Sequence, residues 1–171
     1  SENFELELEI PFNSDITEDD AYSLFIKAYE DGDEDKNCAE EEIDIGIERE
    51  THDVRIENIN IVPAGVNAGD LVDVMVDFIN VGSKDEDGVT VRVNVPEFGW
   101  DFTSNPVDLD DGEGKDNDGV ARFTGLRVPR NIVAGSYSIL ASVSFDDGGE
   151  QSDEFGTLTV LEGGTSGPEP S

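Results

Sequence analysis

Apolar and polar residues alternate with a period of two along much of this chain, which is typical of strands with one buried face. In the stretch Ala134–Gly148 the apolar face is predicted to consist of Tyr137, Ile139, Ala141, Val143 and Phe145. Turn residues Asp146–Gly149 follow, and then a second β-rich run, Phe155–Leu161. This order predicts a hairpin that closes a domain.

Two further runs alternate in the same way. Gly69–Gly82 places Val72, Val74, Val76 and Phe78 on one face, and Gly88–Val95 does so with Val89, Val91, Val93 and Val95. We expect these runs to pair as the core hairpin across the loop Ser83–Gly88. The predicted core therefore includes Val74, Val76, Val91, Val93, Ile139, Ala141 and Val143.

The remaining strands complete a sandwich. In Asp53–Val62 the apolar phase changes between Ile56 and Ile59, which predicts a bulge at Glu57–Asn58. Val120–Pro129 supplies one more strand. Seven short strands between Asp53 and Leu161, separated by turn signals, predict an all-β fold, an immunoglobulin-like antiparallel β-sandwich.

The N-terminal part of the chain repeats the pattern of the C-terminal part. Ala21–Gly32 aligns with Tyr137–Gly148, and Ile43–Glu48 aligns with Leu158–Glu162, at an offset of about 116 residues. Phe4–Pro11 aligns with the segment that ends at Pro129. We therefore predict tandem modules, in which residues 1–50 are the last three strands of a partial first module, residues 51–162 are a complete module and residues 163–171 are a flexible Gly/Ser/Pro linker. We also expect the chain to be a fragment or a processed product.

Charge is the strongest compositional signal. The chain carries 42 acidic residues against 10 basic ones, a formal net charge of −32. Such a field repels nucleic acid and anionic membranes, and no apolar run is long enough to span a bilayer. The acid excess indicates adaptation to a saline or cation-rich environment, although any single acidic run is compatible with an ordinary solvated surface.

Catalytic motifs are absent from the sequence. Cys38 is the single cysteine and His52 is the single histidine, which excludes a zinc knuckle and a disulfide within this chain. No serine or cysteine motif accompanies His52 as a nucleophile. We expect a protein that is not an enzyme.

Two acidic segments are candidate cation sites, and the first, Asp31–Glu42, is predicted to be a long loop before the strand that starts at Ile43. Asp31, Asp33, Asp35, Asn37 and Glu42 match the first, third, fifth, seventh and twelfth positions of a calcium loop. Lys36 replaces the glycine of such a loop and no helices flank it, which argues against an EF-hand. Looser calcium binding is predicted for Asp31, Asp33 and Asp35, or for a second set that comprises Asp108, Asp110, Asp111, Asp116 and Asp118.

Aromatic residues suggest a possible ligand surface. Trp100, with Phe98 and Phe102 two residues to either side, could form an exposed platform for sugars or could close a buried end of the sandwich. Tyr137, preceded by Gly135, is typical of a tyrosine corner and predicts a structural role. The irregular segment Thr103–Gly119 is interpreted as a functional, ion-ordered or disordered loop.

Two stretches carry a resemblance to a known family. They are the run Ala64–Val95, with Gly69, the alternating valines and Asn80-x-Gly82, and the motif Ala134-Gly135-x-Tyr137. Both resemble the CARDB-type Ig-like modules of prokaryotic surface proteins. The junction Lys27–Ile56 is similar to the tandem repeats of S-layer proteins from small-celled archaea of the DPANN type. The resemblance implies stacked extracellular domains without catalytic residues. It also implies that Cys38 would pair within its own complete module.

Two hypotheses about function follow. The first is a non-catalytic structural module of an extracellular cell-surface protein, in an S-layer or a stalk, whose partners are neighbouring Ig-like modules or copies of the same protein. The alternative is an adhesion or carbohydrate-binding module, calcium-dependent, with a glycan as partner. Neither predicts a cofactor other than calcium, a nucleic acid or a membrane contact.

Overall fold

The computed structural model describes residues 21–29, 38–46, 48–112 and 115–162. The chain divides into two compact units, unit 1 (Ser1–Arg49) and unit 2 (Glu50–Ser171). The predicted strand Phe4–Pro11 and the predicted linker at residues 163–171 lie outside the described residues.

In unit 1 the described strands form a two-stranded antiparallel ribbon of β1 (Tyr22–Tyr29) and β2 (Cys38–Ile45). The region from Cys38 to Glu42 was predicted to be the end of a loop, and that prediction is wrong because each of these residues pairs with a residue of β1. That unit 1 is part of a larger module stays a prediction.

Unit 2 contains nine described strands in two sheets. They are β3 (Val54–Val62), β4 (Gly65–Val66), β5 (Leu71–Asn80), β6 (Glu86–Val95), β7 (Trp100–Thr103), β8 (Val107–Leu109), β9 (Asp118–Arg127), β10 (Gly135–Phe145) and β11 (Glu150–Val160). One sheet has the order β3-β5-β9 and the other the order β4-β11-β10-β6-β7, with β8 also on β6. Every pair is antiparallel except β4–β11. This arrangement is the predicted Ig-like sandwich, but the predicted number of seven strands is wrong, because β4 and β8 are too short to show an alternating pattern.

The core lies between the two sheets. The seven core residues predicted from the alternation, from Val74 to Val143, are all fully buried. Apolar side chains from the short connections, among them Val128, complete the core. Helical structure in the described residues is limited to two 3₁₀ turns, Pro96–Phe98 and Asp146–Gly148, and no described helix has the length and apolarity to cross a membrane.

The predicted C-terminal hairpin is confirmed. Strands β10 and β11 pair along their whole length, and Asp146 and Asp147 adopt positive φ angles of 48° and 52° in the turn between them. Strand β11 begins at Glu150, five residues before the predicted start at Phe155, because its acidic side chains point to solvent and do not interrupt the ladder. The predicted bulge in β3 is also confirmed between Ile56 and Asn58.

The predicted hairpin of β5 and β6 is wrong. Strand β5 pairs with β3 and β9, whereas β6 pairs with β10, β7 and β8, so the two strands belong to opposite sheets. Their valines meet across the core instead of side by side. Alternation fixes which face of a strand is buried, and that face is the same whether two strands pair or stack.

The segment Thr103–Gly119, predicted to lack strands, contains the short strand β8. Its two described register pairs with β6 join Glu86 to Leu109 and Val89 to Val107. A three-residue strand with one buried residue, Leu109, is too short to show an alternating pattern in the sequence.

The chain enters and leaves unit 2 at opposite ends of the sandwich. At the junction end, Val54 pairs with Asn80, and the turn that begins at Asp146 bonds to the start of β6. Strand β11 starts at this end and runs to Val160, which pairs with Val66 at the distal end. Ten residue steps of extended strand span about 33 Å.

Candidate functional site

The predicted cation ligands do not form a cluster among the described residues. Asp31, Asp33 and Asp35 lie outside that part of the chain, and Glu42 is a residue of β2 opposite Phe25. In the second set Asp108, Asp110, Asp116 and Asp118 are all exposed. Within the described ranges there is no group of three or more His, Cys, Asp or Glu side chains that could hold a metal ion.

Two of these aspartates have structural roles. Asp108 accepts a hydrogen bond from the backbone of Gly88 at 2.8 Å, which joins β8 to the start of β6. Asp110 accepts one from the backbone of Asp116 at 3.4 Å, across the loop between β8 and β9. Their carboxylates stabilise local turns.

The prediction of Trp100 as an exposed ligand platform is wrong. Its side chain is only 4% exposed and its indole Nε1 donates to the backbone oxygen of Arg127 at 3.0 Å. Its ring meets that of Phe98 edge to face, with centroids 5.0 Å apart. A tryptophan with a satisfied N–H in a desolvated cluster serves packing, because no face of it is open to a sugar.

Tyr137 is the tyrosine corner that the sequence predicts. Its hydroxyl donates to the backbone oxygen of Val133 at 2.6 Å, and its ring packs on that of Phe98. The contact ties the connection between β9 and β10 to the core. These aromatic residues therefore close the sandwich.

The buried polar side chains of unit 2 that bind neighbouring loops lie at the junction end, around Asn80. This side chain is fully buried at the end of β5. Its Nδ2 donates to the backbone oxygens of Lys84 at 2.7 Å and Asp110 at 2.8 Å, and its Oδ1 accepts from the backbone N–H of Gly82 at 2.9 Å. One carboxamide thus connects the β5–β6 loop to the β8–β9 loop.

A second buried residue, Glu86, lies at the same end. It is 2% exposed, and its two oxygens have separate partners. Oε1 lies 2.7 Å from Nδ1 of His52, and Oε2 accepts the backbone N–H of Asp146 at 2.9 Å. Because a carboxylate only accepts hydrogen bonds, the Nδ1 of His52 carries a proton in this contact.

His52 stands in an acidic environment. The hydrogen bond to Glu86 raises the pKa of His52, and the charges of Glu86, Asp146 and Glu150 act in the same direction, while desolvation acts against them. Nε2 of His52 lies 3.9 Å from Oδ1 of Asp146. The geometry favours an imidazolium at this position.

Asn80 and Glu86 had no predicted role in the sequence, although one signal was available. Asn80 follows Val72, Val74, Val76 and Phe78 at a spacing of two and so continues the buried face of β5. A polar side chain on the buried face of a strand needs hydrogen-bond partners inside the protein. This requirement indicates that Asn80 anchors neighbouring segments. The sequence contains no comparable signal for Glu86. This residue lies three positions before Val89 and is therefore outside the period of two that marks the buried face of β6.

No profile of a known protein family matches this chain. A search of curated proteins likewise finds no match.

Several solved structures are similar to the chain at low identity. An alkylpurine DNA glycosylase from Pseudomonas fluorescens, bound to DNA containing an abasic site analogue, is 13% identical over 64% of this chain and 30% of that chain, with a TM-score of 0.47. A family 123 glycoside hydrolase from Clostridium perfringens is 13% identical over 57% of this chain and 22% of that chain, with a TM-score of 0.38. The chain thus spans less than a third of either protein.

The CARDB domain of a Pyrococcus furiosus protein, solved in complex with di-metal ions, is also similar. It is 20% identical over 68% of this chain and 95% of that chain, with a TM-score of 0.46.

Proposed function

We propose that this chain is a non-catalytic structural module of an extracellular cell-surface protein, stacked in tandem in an S-layer or stalk and acid-rich for a saline or cation-rich environment. The observation that carries the proposal is the placement of the two ends of unit 2. The chain enters at Val54 and leaves at Val160 on opposite ends of the sandwich. A module in a linear array needs this arrangement, because tension passes through it from one neighbour to the next.

The distal end is suited to such a load. Strand β4 lies parallel to the end of β11, with hydrogen bonds from the backbone N–H of Thr159 to Ala64 and of Leu161 to Val66. When the chain is pulled from its two ends, these parallel strands slide against each other, so their hydrogen bonds must break together. Force spectroscopy with handles at the two ends of unit 2 tests this load path.

The junction end supports the same function. Asn80 binds two loops, and Glu86 binds the incoming chain at His52 and the turn at Asp146. No buried side-chain nitrogen or oxygen in the described part of the protein lacks a hydrogen-bond partner. Buried polar groups that are all satisfied by their own chain stabilise a structure, whereas a binding site keeps some of them for a ligand. The adhesion alternative loses its main support, because Trp100 is buried.

The net charge of −32 makes a prediction about salt. We expect the melting temperature to rise by about 5 °C or more between 0.05 and 1 M NaCl, because the Debye length falls from more than 10 Å to about 3 Å. Differential scanning calorimetry measures this shift. A melting temperature that does not depend on salt would contradict the proposed adaptation.

Calcium and magnesium at fixed ionic strength separate screening from a specific site. Equal small shifts with millimolar calcium and magnesium are expected for diffuse screening by an acidic surface. A further rise with calcium alone would indicate a carboxylate site that binds the folded state, since magnesium resists dehydration in irregular sites. That result would favour the calcium-dependent alternative.

A further inference from the structure

The segment through which the chain enters unit 2 is bound to the sandwich by its backbone. The carbonyl of Glu50 accepts the N–H of Ser83 at 3.0 Å, and the carbonyl of Asp53 accepts those of Val81 at 2.8 Å and Gly82 at 3.2 Å. The contact is close enough that a Cβ on Gly82 would lie 2.7 Å from the oxygen of Thr51. The segment Glu50–Asp53, which we call the junction segment, therefore lies directly on the β5–β6 loop.

One side chain of the junction segment reaches a buried group. His52, whose side chain is one third exposed, contacts Glu86, whose side chain is 2% exposed. A buried carboxylate is costly unless a positive charge or several hydrogen bonds compensate it. Besides His52, Glu86 has the N–H of Asp146 as a partner, and that contact provides no full charge.

The charged groups that face His52 are all negative. Glu86 comes from the start of β6, Asp146 from the turn after β10 and Glu150 from the start of β11. On its own segment Glu50 and Asp53 are also acidic, and Asp53 is paired with Arg55. A proton on His52 thus places a cation among three acidic groups that belong to three different elements.

We propose that His52 is a proton-operated latch, in which the imidazolium holds the junction segment on unit 2 and loss of the proton as the pH rises releases it. A neutral imidazole can keep a hydrogen bond to Glu86, but it no longer compensates the buried charge. Release frees four residues, which span about 13 Å as extended chain. The inference goes beyond the proposed function and does not depend on it.

The direction of the pH dependence follows from the pKa of His52, which is raised in the folded protein. The stabilisation of the latched state is complete below the ordinary pKa of about 6.5 and is lost as the pH rises through the higher folded value. Each unit by which the pKa of His52 exceeds the ordinary value is worth about a tenfold change in the closed-to-open ratio of the latch.

Two NMR measurements on the full chain test the latch. Because His52 is the single histidine, its imidazole resonances titrate without interference from another histidine. The amides of Val81 and Ser83 are bonded to the junction segment, so their hydrogen exchange between pH 6 and pH 9, corrected for the intrinsic rates, reports the closed state. We expect a pKa of His52 above 6.5 and protection at these two amides that falls, as the pH rises, by the factor that the pKa shift gives.

Matched controls separate the latch from general unfolding. The amide of Thr159, bonded to Ala64 at the distal end, should keep its protection over the same pH range. His52→Asn keeps a donor near the position of Nδ1 without a titrating charge, and should remove the pH dependence at the amides of Val81 and Ser83. Glu86→Gln should bring the pKa of His52 down towards its ordinary value.

Two results would overturn the latch. One is a pKa of His52 at or below 6.5 in the unmodified chain. The other is protection at Val81 and Ser83 that stays constant, or that falls together with that of Thr159. Both measurements need only the unmodified chain, so the test does not depend on whether Glu86→Gln folds.

Discussion

Val76→Asp is expected to unfold unit 2 at 25 °C. Val76 lies in β5 between Ile59 of β3 and Ala121 of β9, and its side chain is completely buried. An unpaired carboxylate at this position costs several kcal/mol, which is comparable with the total stability of about 5–15 kcal/mol for a domain. Loss of the dispersed NMR amide spectrum of unit 2 measures the effect.

A matched substitution controls for the added charge. Val133→Asp introduces the same carboxylate at a side chain that is 75% exposed, and should change the free energy of unfolding by no more than about 0.5 kcal/mol. Val93→Asp, in the facing sheet, should behave like Val76→Asp. A melting curve of Val76→Asp like that of the unmodified chain would show that the two faces of β5 are assigned incorrectly.

Asn80→Ala is expected to lower the free energy of unfolding of unit 2 by about 3 kcal/mol. The substitution removes the hydrogen bonds to Lys84, Asp110 and Gly82 at the end of β5. Each bond contributes about 1 kcal/mol, and partners that stay buried without water lose more. Urea unfolding monitored by circular dichroism measures the change.

The control for this substitution is Asn60→Ala. Asn60 is an exposed residue of β3, and its replacement should alter stability by less than about 0.5 kcal/mol. Equal effects at the two positions would contradict the role of Asn80 as an anchor of two loops. Faster exchange confined to these loops, without a change in the free energy of global unfolding, would contradict the predicted loss of stability.

The sequence was sufficient for those parts of the fold that depend on local pattern. Burial of alternate residues identified the core valines, and a turn of residues that tolerate positive φ identified the β10–β11 hairpin. The phase change in β3 located its bulge. Each of these features is determined by neighbours within a few residues along the chain.

Features that depend on distant partners could not be read in the same way. The valines of β5 and β6 face each other across the core, a relation that the alternation does not distinguish from pairing. Burial of Trp100 depends on the backbone of Arg127, which is far away in the sequence. The contact of His52 with Glu86 likewise joins residues whose spacing carries no known motif.

The most direct test of the proposed function is the unfolding force of unit 2 along two axes. In a Cys38→Ser background, handles at Glu50→Cys and Glu162→Cys pull along the long axis, whereas handles at Glu50→Cys and Gln151→Cys both lie at the junction end. We expect a severalfold higher force along the long axis, because that pull shears the β4–β11 contact while the other peels strands one bond at a time. Equal forces along the two axes, or unfolding at lower force along the long axis, would contradict a load-bearing module.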